Sequence, residues 1–232
     1  MNRKVFLITG ASTGIGEATA RRAVEAGFTV VLAARSTAKL QQLQSELGSA
    51  RSLAVTCDVS NWQSQQKMLQ ETLERFGRLD VVFANAGFSK GSTFFGGEDK
   101  AEEWKEMVLV NVFGAAATAR LTLPELVKTG GHFLLTGSVV GRTTSIRNLY
   151  SATKWAVTGM AQAIRNEMAG RGVRVTLVEP GVVDTPFWDN IQKPDTPELQ
   201  PDDIARAVIY AVSQPPHVDV NEILIRPTGQ PN

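Results

Sequence analysis

Residues 5–27 read VFLITGASTGIGEATARRAVEAG, and the reading of this stretch decides the fold. Val5–Thr9 is a short apolar run without polar alternation, the pattern of a strand buried on both faces, as in a parallel sheet. Gly10, Gly14 and Gly16 follow at G-x3-G-x-G spacing and lead into an amphipathic run, 17–26, that stops at Gly27 as a helix does. A strand, a glycine turn and a helix together make a phosphate-binding unit. The glycines let the backbone approach a pyrophosphate, and the helix N-terminus offers free N–H groups and a partial positive charge. The turn Thr9, Gly10, Ser12, Thr13, Gly14, Ile15 and Gly16 is therefore the expected cradle of a dinucleotide.

Working outward, a second apolar strand at 29–33 runs into Ala34, Arg35 and Ser36, where such a unit discriminates its cofactor's ribose. An acid here would accept from the 2′-hydroxyl of NAD, whereas an arginine with hydroxyls suits the 2′-phosphate of NADP. The acid is missing, so Arg35, with Ser12 and Ser36 as auxiliary donors, argues for NADP(H) over NAD(H). Ser36 also reads as the N-cap of a helix carrying Leu40, Leu43 and Leu47. A third strand at 53–57 ends in Asp58 and Val59; Asp58 either caps the next helical region, 60–76, or bonds an adenine amino group. The fourth strand, 79–84, meets Asn85, Ala86 and Gly87 at the end where ligands of open α/β sheets lie.

The loop 88–99, with Gly91, Gly96 and Gly97, is too glycine-rich for regular structure and is expected to be mobile and to wall a pocket. A long helix at 101–126 carries Asn111 in its interior, where asparagine is unfavourable; the residue either bends the helix around a polar site or is exposed. A fifth strand, 132–136, ends at Gly137 and Ser138. The stretch from Ser138 to Lys154, SVVGRTTSIRNLYSATK, follows, and in a helix its Tyr150 and Lys154 are i, i+4 neighbours. A phenol with a pKa of about 10 is a poor base at neutral pH; a nearby ammonium and a helix N-terminus are expected to favour its phenolate.

The helix over 150–169 shows Ala152, Ala156, Gly159 and Ala163 on one stripe, which invites close approach of the protein's own sheet or of a second subunit. A sixth strand, 174–178, precedes Glu179, Pro180 and Gly181. Residues 182–200 read as a lid-like insertion without a clear period, and Pro201 with Asp202 and Asp203 starts the last helix before a final strand at 222–225. Strands and helices thus alternate, seven to six, which predicts a single α/β domain over 1–232: a doubly wound parallel sheet with helices on both faces and its site at the strand C-termini.

Composition agrees. Of 232 residues 43% are hydrophobic, enough for one good core, and a net charge of +1 with interspersed signs gives no nucleic-acid or membrane surface. Small-molecule partners are favoured. One cysteine, Cys57, excludes an internal disulfide framework and is read as a small apolar residue at a strand end. The short N-terminal apolar run is unlike a signal peptide, no run approaches a membrane span, and no metal-ligand cluster is evident, so a cytoplasmic protein is expected.

These motifs jointly resemble the short-chain dehydrogenase/reductase family over nearly the whole chain. Thr9, Gly10, Gly14 and Gly16 match its TGxxxGxG turn, Asp58 its adenine-contacting acid, Asn85, Ala86 and Gly87 its NAG sequence, and Asn111, Ser138, Tyr150 and Lys154 its catalytic tetrad. Pro180, Gly181, Val183 and Thr185 match the segment that holds the nicotinamide carboxamide. The resemblance implies hydride transfer between nicotinamide and a ketone, an aldehyde or a secondary alcohol. In that scheme Tyr150 is the proton donor, Ser138 polarises the carbonyl, Lys154 binds the ribose and lowers the tyrosine pKa, and Asn111 holds a relay water. It also implies a homo-oligomer, tetramer or dimer, through the long helix and the tyrosine helix. The family's frequent basic residue at position 13 is Thr13 here, which leaves the NADP reading on Arg35. Glu179 before Pro180 and the C-terminal run 217–230 resemble a branch that includes 3-hydroxy acid dehydrogenases, and an idle NADP-binding regulatory protein is the reading from another class. Arg147 either meets a substrate carboxylate or is solvated. Val140 is expected in the substrate pocket; Phe88, Leu149, Phe187 and Trp188 either line it or pack the lid.

Overall fold

The computed structural model describes residues 3–90, 94–95, 100–143, 148–189, 191 and 193–230. Seven parallel strands form one sheet in the order β3-β2-β1-β4-β5-β6-β7: β1 Val5–Thr9, β2 Thr29–Ala34, β3 Ser52–Thr56, β4 Val81–Ala84, β5 His132–Thr136, β6 Arg174–Pro180 and β7 Glu222–Ile225. The helices between them are α1 Gly14–Glu25, α2 Thr37–Leu47, α3 Trp62–Phe76, α4 Ala101–Val108, α5 Ala115–Thr129, α6 Asn148–Met168 and α7 Pro201–Ser213. The order reverses between β1 and β4, so the crevice for a ligand opens above those two strands.

Because side chains alternate along a strand, β1 feeds two cores. Val5 and Leu7 join Val31, Met68, Leu126, Phe133 and Leu177 on the face covered by α3, α5 and α6. Phe6 and Ile8 join Leu32, Leu40, Phe83, Ile204 and Val208 on the face covered by α1, α2 and α7. Phe6, Phe83 and Phe133 are completely buried, and each contributes roughly 2–3 kcal/mol of transfer free energy.

Several local expectations change. Asp58 does not cap α3; Asn61 does, its side chain accepting from Ser64 N, while Asp58 Oδ1 accepts from Ser60 N and Oγ. Ser36 stands at the N-cap of α2 without a capping side-chain bond. The sixth strand runs on through Glu179 and Pro180 because β7 pairs with it that far. Residues 182–200 are not without order: Val183 bridges Leu199, and Pro186–Trp188 forms a 3-10 turn capped by Thr185 Oγ1.

The predicted long helix is one helical run, but Leu109–Gly114 at its centre is a π segment separating α4 from α5. By length and composition this run, Ala101–Thr129, is apolar enough to cross a membrane, yet Met107, Val110, Leu123 and Leu126 bury it against the rest of the chain. The small stripe of α6, Ala152, Ala156, Gly159 and Ala163, is exposed and does not pack on the protein's own sheet. Arg147 and most of the loop 88–99 lie outside the described residues.

Candidate active site

The strand ends at β1, β4 and β5 are tied to α6 by one hydrogen-bond chain. Thr9 Oγ1 accepts from the N–H groups of Asn85 and Ala86, Asn85 Nδ2 donates to Thr9 O, and Thr136 Oγ1 donates to Asn85 Oδ1 at 3.0 Å. Lys154 Nζ closes the chain by donating to Thr136 O at 2.8 Å. The glycine turn and the catalytic helix are thus held in register by short polar residues that fit where strands converge. Gly16 must be glycine: a Cβ there would stand 2.2 Å from Gly10 O and 2.8 Å from Asn85 Nδ2. Gly10 adopts a φ of 66°, the left-handed region, over the Ala86 backbone.

Above this floor lies a cleft of about 860 Å³, within the range of small-molecule and cofactor sites. The start of α1 opens into it, and the N-cap residue Thr13 makes no side-chain cap bond, so first-turn N–H groups remain for an anion. Thr185 leans over Gly14, whose added Cβ would meet Thr185 Cγ2 at 3.0 Å. The rim at the far end carries Arg35, Ser36 and Asp58. These residues suit a dinucleotide: free amide donors for phosphate, a cation beyond them and a carboxylate for an adenine or ribose group.

At the opposite end Ser138, at the N-cap of the 3-10 turn Val139–Gly141, accepts from Val140 N and reaches Pro180 O at 3.5 Å. Its hydroxyl lies near enough to the Tyr150 phenol to favour the phenolate. The Lys154 ammonium lies 5.6 Å from the Tyr150 ring centre. Burial pushes the Tyr150 phenol well above its usual value, with the Ser138 hydroxyl opposing it, and pushes the Lys154 ammonium down to about 8. The expectation of a lowered tyrosine pKa does not hold, because desolvation of the phenolate outweighs the help of the Ser138 hydroxyl.

Asn111 is 2% exposed, in the π segment. Its Oδ1 accepts from Phe88 N, and Nδ2 donates to Phe88 O and to Thr153 Oγ1 at 3.1 Å. Asn111 Oδ1 and Lys154 Nζ flank Gly87, at 3.2 and 3.5 Å from where its Cβ would be. The two amide protons are therefore spent, one on the loop after β4 and one on α6, so a relay water would have to use other groups, such as backbone carbonyls freed where the π segment interrupts the helical ladder. Behind Ser138, the Arg142 guanidinium grips Glu179 through two bonds of 2.7 and 3.0 Å and reaches Glu222 at 2.6 Å.

A family model described as short chain dehydrogenase matches residues 4–196. The chain belongs to the short-chain dehydrogenase family. A curated relative, an uncharacterized oxidoreductase of Staphylococcus aureus (strain USA300), is 39% identical over 226 residues, 97% of each chain. Among solved structures, an alcohol dehydrogenase from the archaeon Thermococcus sibiricus, complexed with 5-hydroxy-NADP, matches with a TM-score of 0.91, 36% identity and 99% coverage of both chains. A 3-ketoacyl-(acyl-carrier-protein) reductase from Brucella melitensis, complexed with NADH, matches at 0.88, with 30% identity and 96% coverage of both. The chain is an oxidoreductase of this family, and similar structures hold either pyridine nucleotide.

In this short-chain dehydrogenase most of the residues singled out from sequence line the cleft: Gly10, Ser12, Thr13, Gly14, Ile15, Arg35, Ser36, Asp58, Val59, Asn85, Ala86, Gly87, Ser138, Tyr150, Lys154, Pro180, Gly181, Val183 and Thr185, with Phe88, Val140, Phe187 and Trp188. Thr9, Gly16 and Asn111 instead lie beneath it and fix its floor. Leu149 does not line it: the helix that presents Tyr150 to the cleft turns its neighbour elsewhere. Sequence reasoning missed Gln230, whose Oε1 accepts from Val182 N and so clamps the Gly181 loop from the C-terminal tail, and Lys193, which lines the cleft paired to Glu198 at 2.6 Å. No local motif marks either; both act through contacts between distant segments.

Proposed function

We propose that this oxidoreductase uses NADP(H) to interconvert a ketone or aldehyde bearing an apolar substituent with the corresponding alcohol. The observation that carries the reading is the meeting of Ser138, Tyr150 and Lys154 at one end of a cleft whose other end opens on the α1 N-terminus and Arg35. A nicotinamide nucleotide bound along the cleft supplies the hydride. Ser138 and Tyr150, side by side at this end of the cleft, share the carbonyl oxygen as it gains charge. Tyr150 donates its proton to that oxygen, and its raised pKa keeps it protonated for this task at neutral pH. Lys154, fixed by Thr136 O, places its ammonium near the phenolate that results. In the reverse direction the same phenolate takes the proton of an alcohol.

Tyr150 faces Phe187 at 5.4 Å between ring centroids, and Phe187 faces Trp188 at 5.1 Å, an apolar wall that favours an apolar substituent. Lys193, a cation on the cleft, is neutralised by Asp184 and Glu198, which favours a neutral substrate over a carboxylate. Homo-oligomerisation through the α4–α5 and α6 surface is part of the proposal, supported by the exposed Val108, Phe113 and Trp155 beside the small stripe of α6.

The test is reduction of a panel of aliphatic and aryl ketones, followed by loss of absorbance of NADPH or NADH. Turnover with NADPH exceeding that with NADH supports the reading. Tight NADPH binding with no turnover of any carbonyl or alcohol transfers support to a regulatory role.

A further inference from the structure

Arg35 does not point into free solvent. Its Nη1 donates to Glu106 Oε1 at 3.2 Å, joining the end of β2 to α4 across the rim of the cleft, between residues 71 apart in sequence. Neither side chain is buried: their exposures are 66% and 45%, so the pair adds little to folding and is free to exchange partners. The neighbouring acid Glu103 is engaged by Lys90 at 2.9 Å, which leaves Glu106 as the carboxylate facing Arg35.

We infer that Glu106 sets the cofactor preference by competing with the ribose 2′-phosphate for Arg35. This rests on the reading of Arg35 as the phosphate-binding residue. A 2′-phosphate reaching Arg35 must displace Glu106 from the guanidinium. A 2′-hydroxyl meets no such obstacle. Glu106 therefore weakens NADP binding and leaves NAD binding alone, narrowing the preference that Arg35 creates. Position 106, far from the glycine turn in sequence, carries no motif that would mark it.

The experiment is calorimetric titration of NADP+ and NAD+ into the whole protein and into Glu106→Gln, Arg35→Ala and the double variant, at two salt concentrations. Glu106→Gln is expected to raise NADP+ affinity roughly two- to fivefold, with NAD+ affinity unchanged, an effect that shrinks at high salt and vanishes in the Arg35→Ala background. If Arg35→Ala weakens NADP+ but Glu106→Gln changes nothing, or changes both cofactors alike, the role of Glu106 is overturned and the NADP reading stands. A gain that persists without Arg35 also overturns competition, since it would then be a general field effect. If Arg35→Ala leaves NADP+ affinity intact, the NADP reading itself falls. NAD+ binding serves as the check that each variant is folded.

Discussion

Lys154→Met should make the cofactor-free protein more stable while removing its activity. Lys154 is 4% exposed, and burial lowers its ammonium from 10.5 to about 8. That shift corresponds to about 3 kcal/mol of penalty at neutral pH, where the charged form is held in the folded state. Against this, methionine loses the Nζ bond to Thr136 O, 2.8 Å long, and leaves that carbonyl unpaired at a cost of about 1–2 kcal/mol. The methionine stem fills most of the space of the lysine stem, so the net gain is about 1–2 kcal/mol. The sign depends on pH. The folded pKa lies below the unfolded one, so between about 8 and 10.5 the unfolded wild type holds more protons and its stability rises with pH. The methionine variant has no such term. Its advantage is largest below pH 8 and shrinks through the window above it. Urea unfolding of both proteins at pH 7 and pH 9.5 measures this directly. A variant less stable than wild type at pH 7, or an advantage independent of pH, refutes the reasoning.

Two further substitutions probe the scaffold. Gly16→Ala puts a methyl 2.2 Å from Gly10 O, and the turn cannot yield without moving Asn85; a loss of at least about 2 kcal/mol in urea unfolding is expected, together with weaker nucleotide binding. Arg142→Ala leaves Glu179, whose side chain is 1% exposed, without its bidentate partner and should cost about 3 kcal/mol, detectable as a lowered thermal midpoint; a drop of under a degree would mean that the pair is dispensable.

The fold was legible because each level of the sequence points the same way. Apolar runs such as Val5–Thr9 are long enough for strands and too uniform for half-exposed ones, and Gly27 ends its helix where the pattern stops. The site was legible where a single backbone segment carries it, as in the glycine turn and the helix holding Tyr150 and Lys154. It was not legible where burial decides the outcome. Asn111, taken alone, read as an exposed helix residue, since helix propensity carries no information on a π segment closed by Phe88 and Thr153. The direction of the Tyr150 shift follows from how dry the phenol is, a property of the whole assembled pocket that i, i+4 spacing does not report. Pairings such as Arg142 with Glu179 and Gln230 with Val182 join segments 37 and 48 residues apart, and only the strand order β5-β6-β7 brings them together.

The central claim is that Tyr150 delivers the proton to the carbonyl oxygen. The most direct measurement is the turnover of a reducible ketone by NADPH in Tyr150→Phe, with nucleotide affinity determined on the same preparation. A fall of at least about a hundredfold in kcat with NADPH affinity retained is predicted, the size expected for losing a general acid. Turnover equal to wild type in a variant that binds NADPH normally would contradict it.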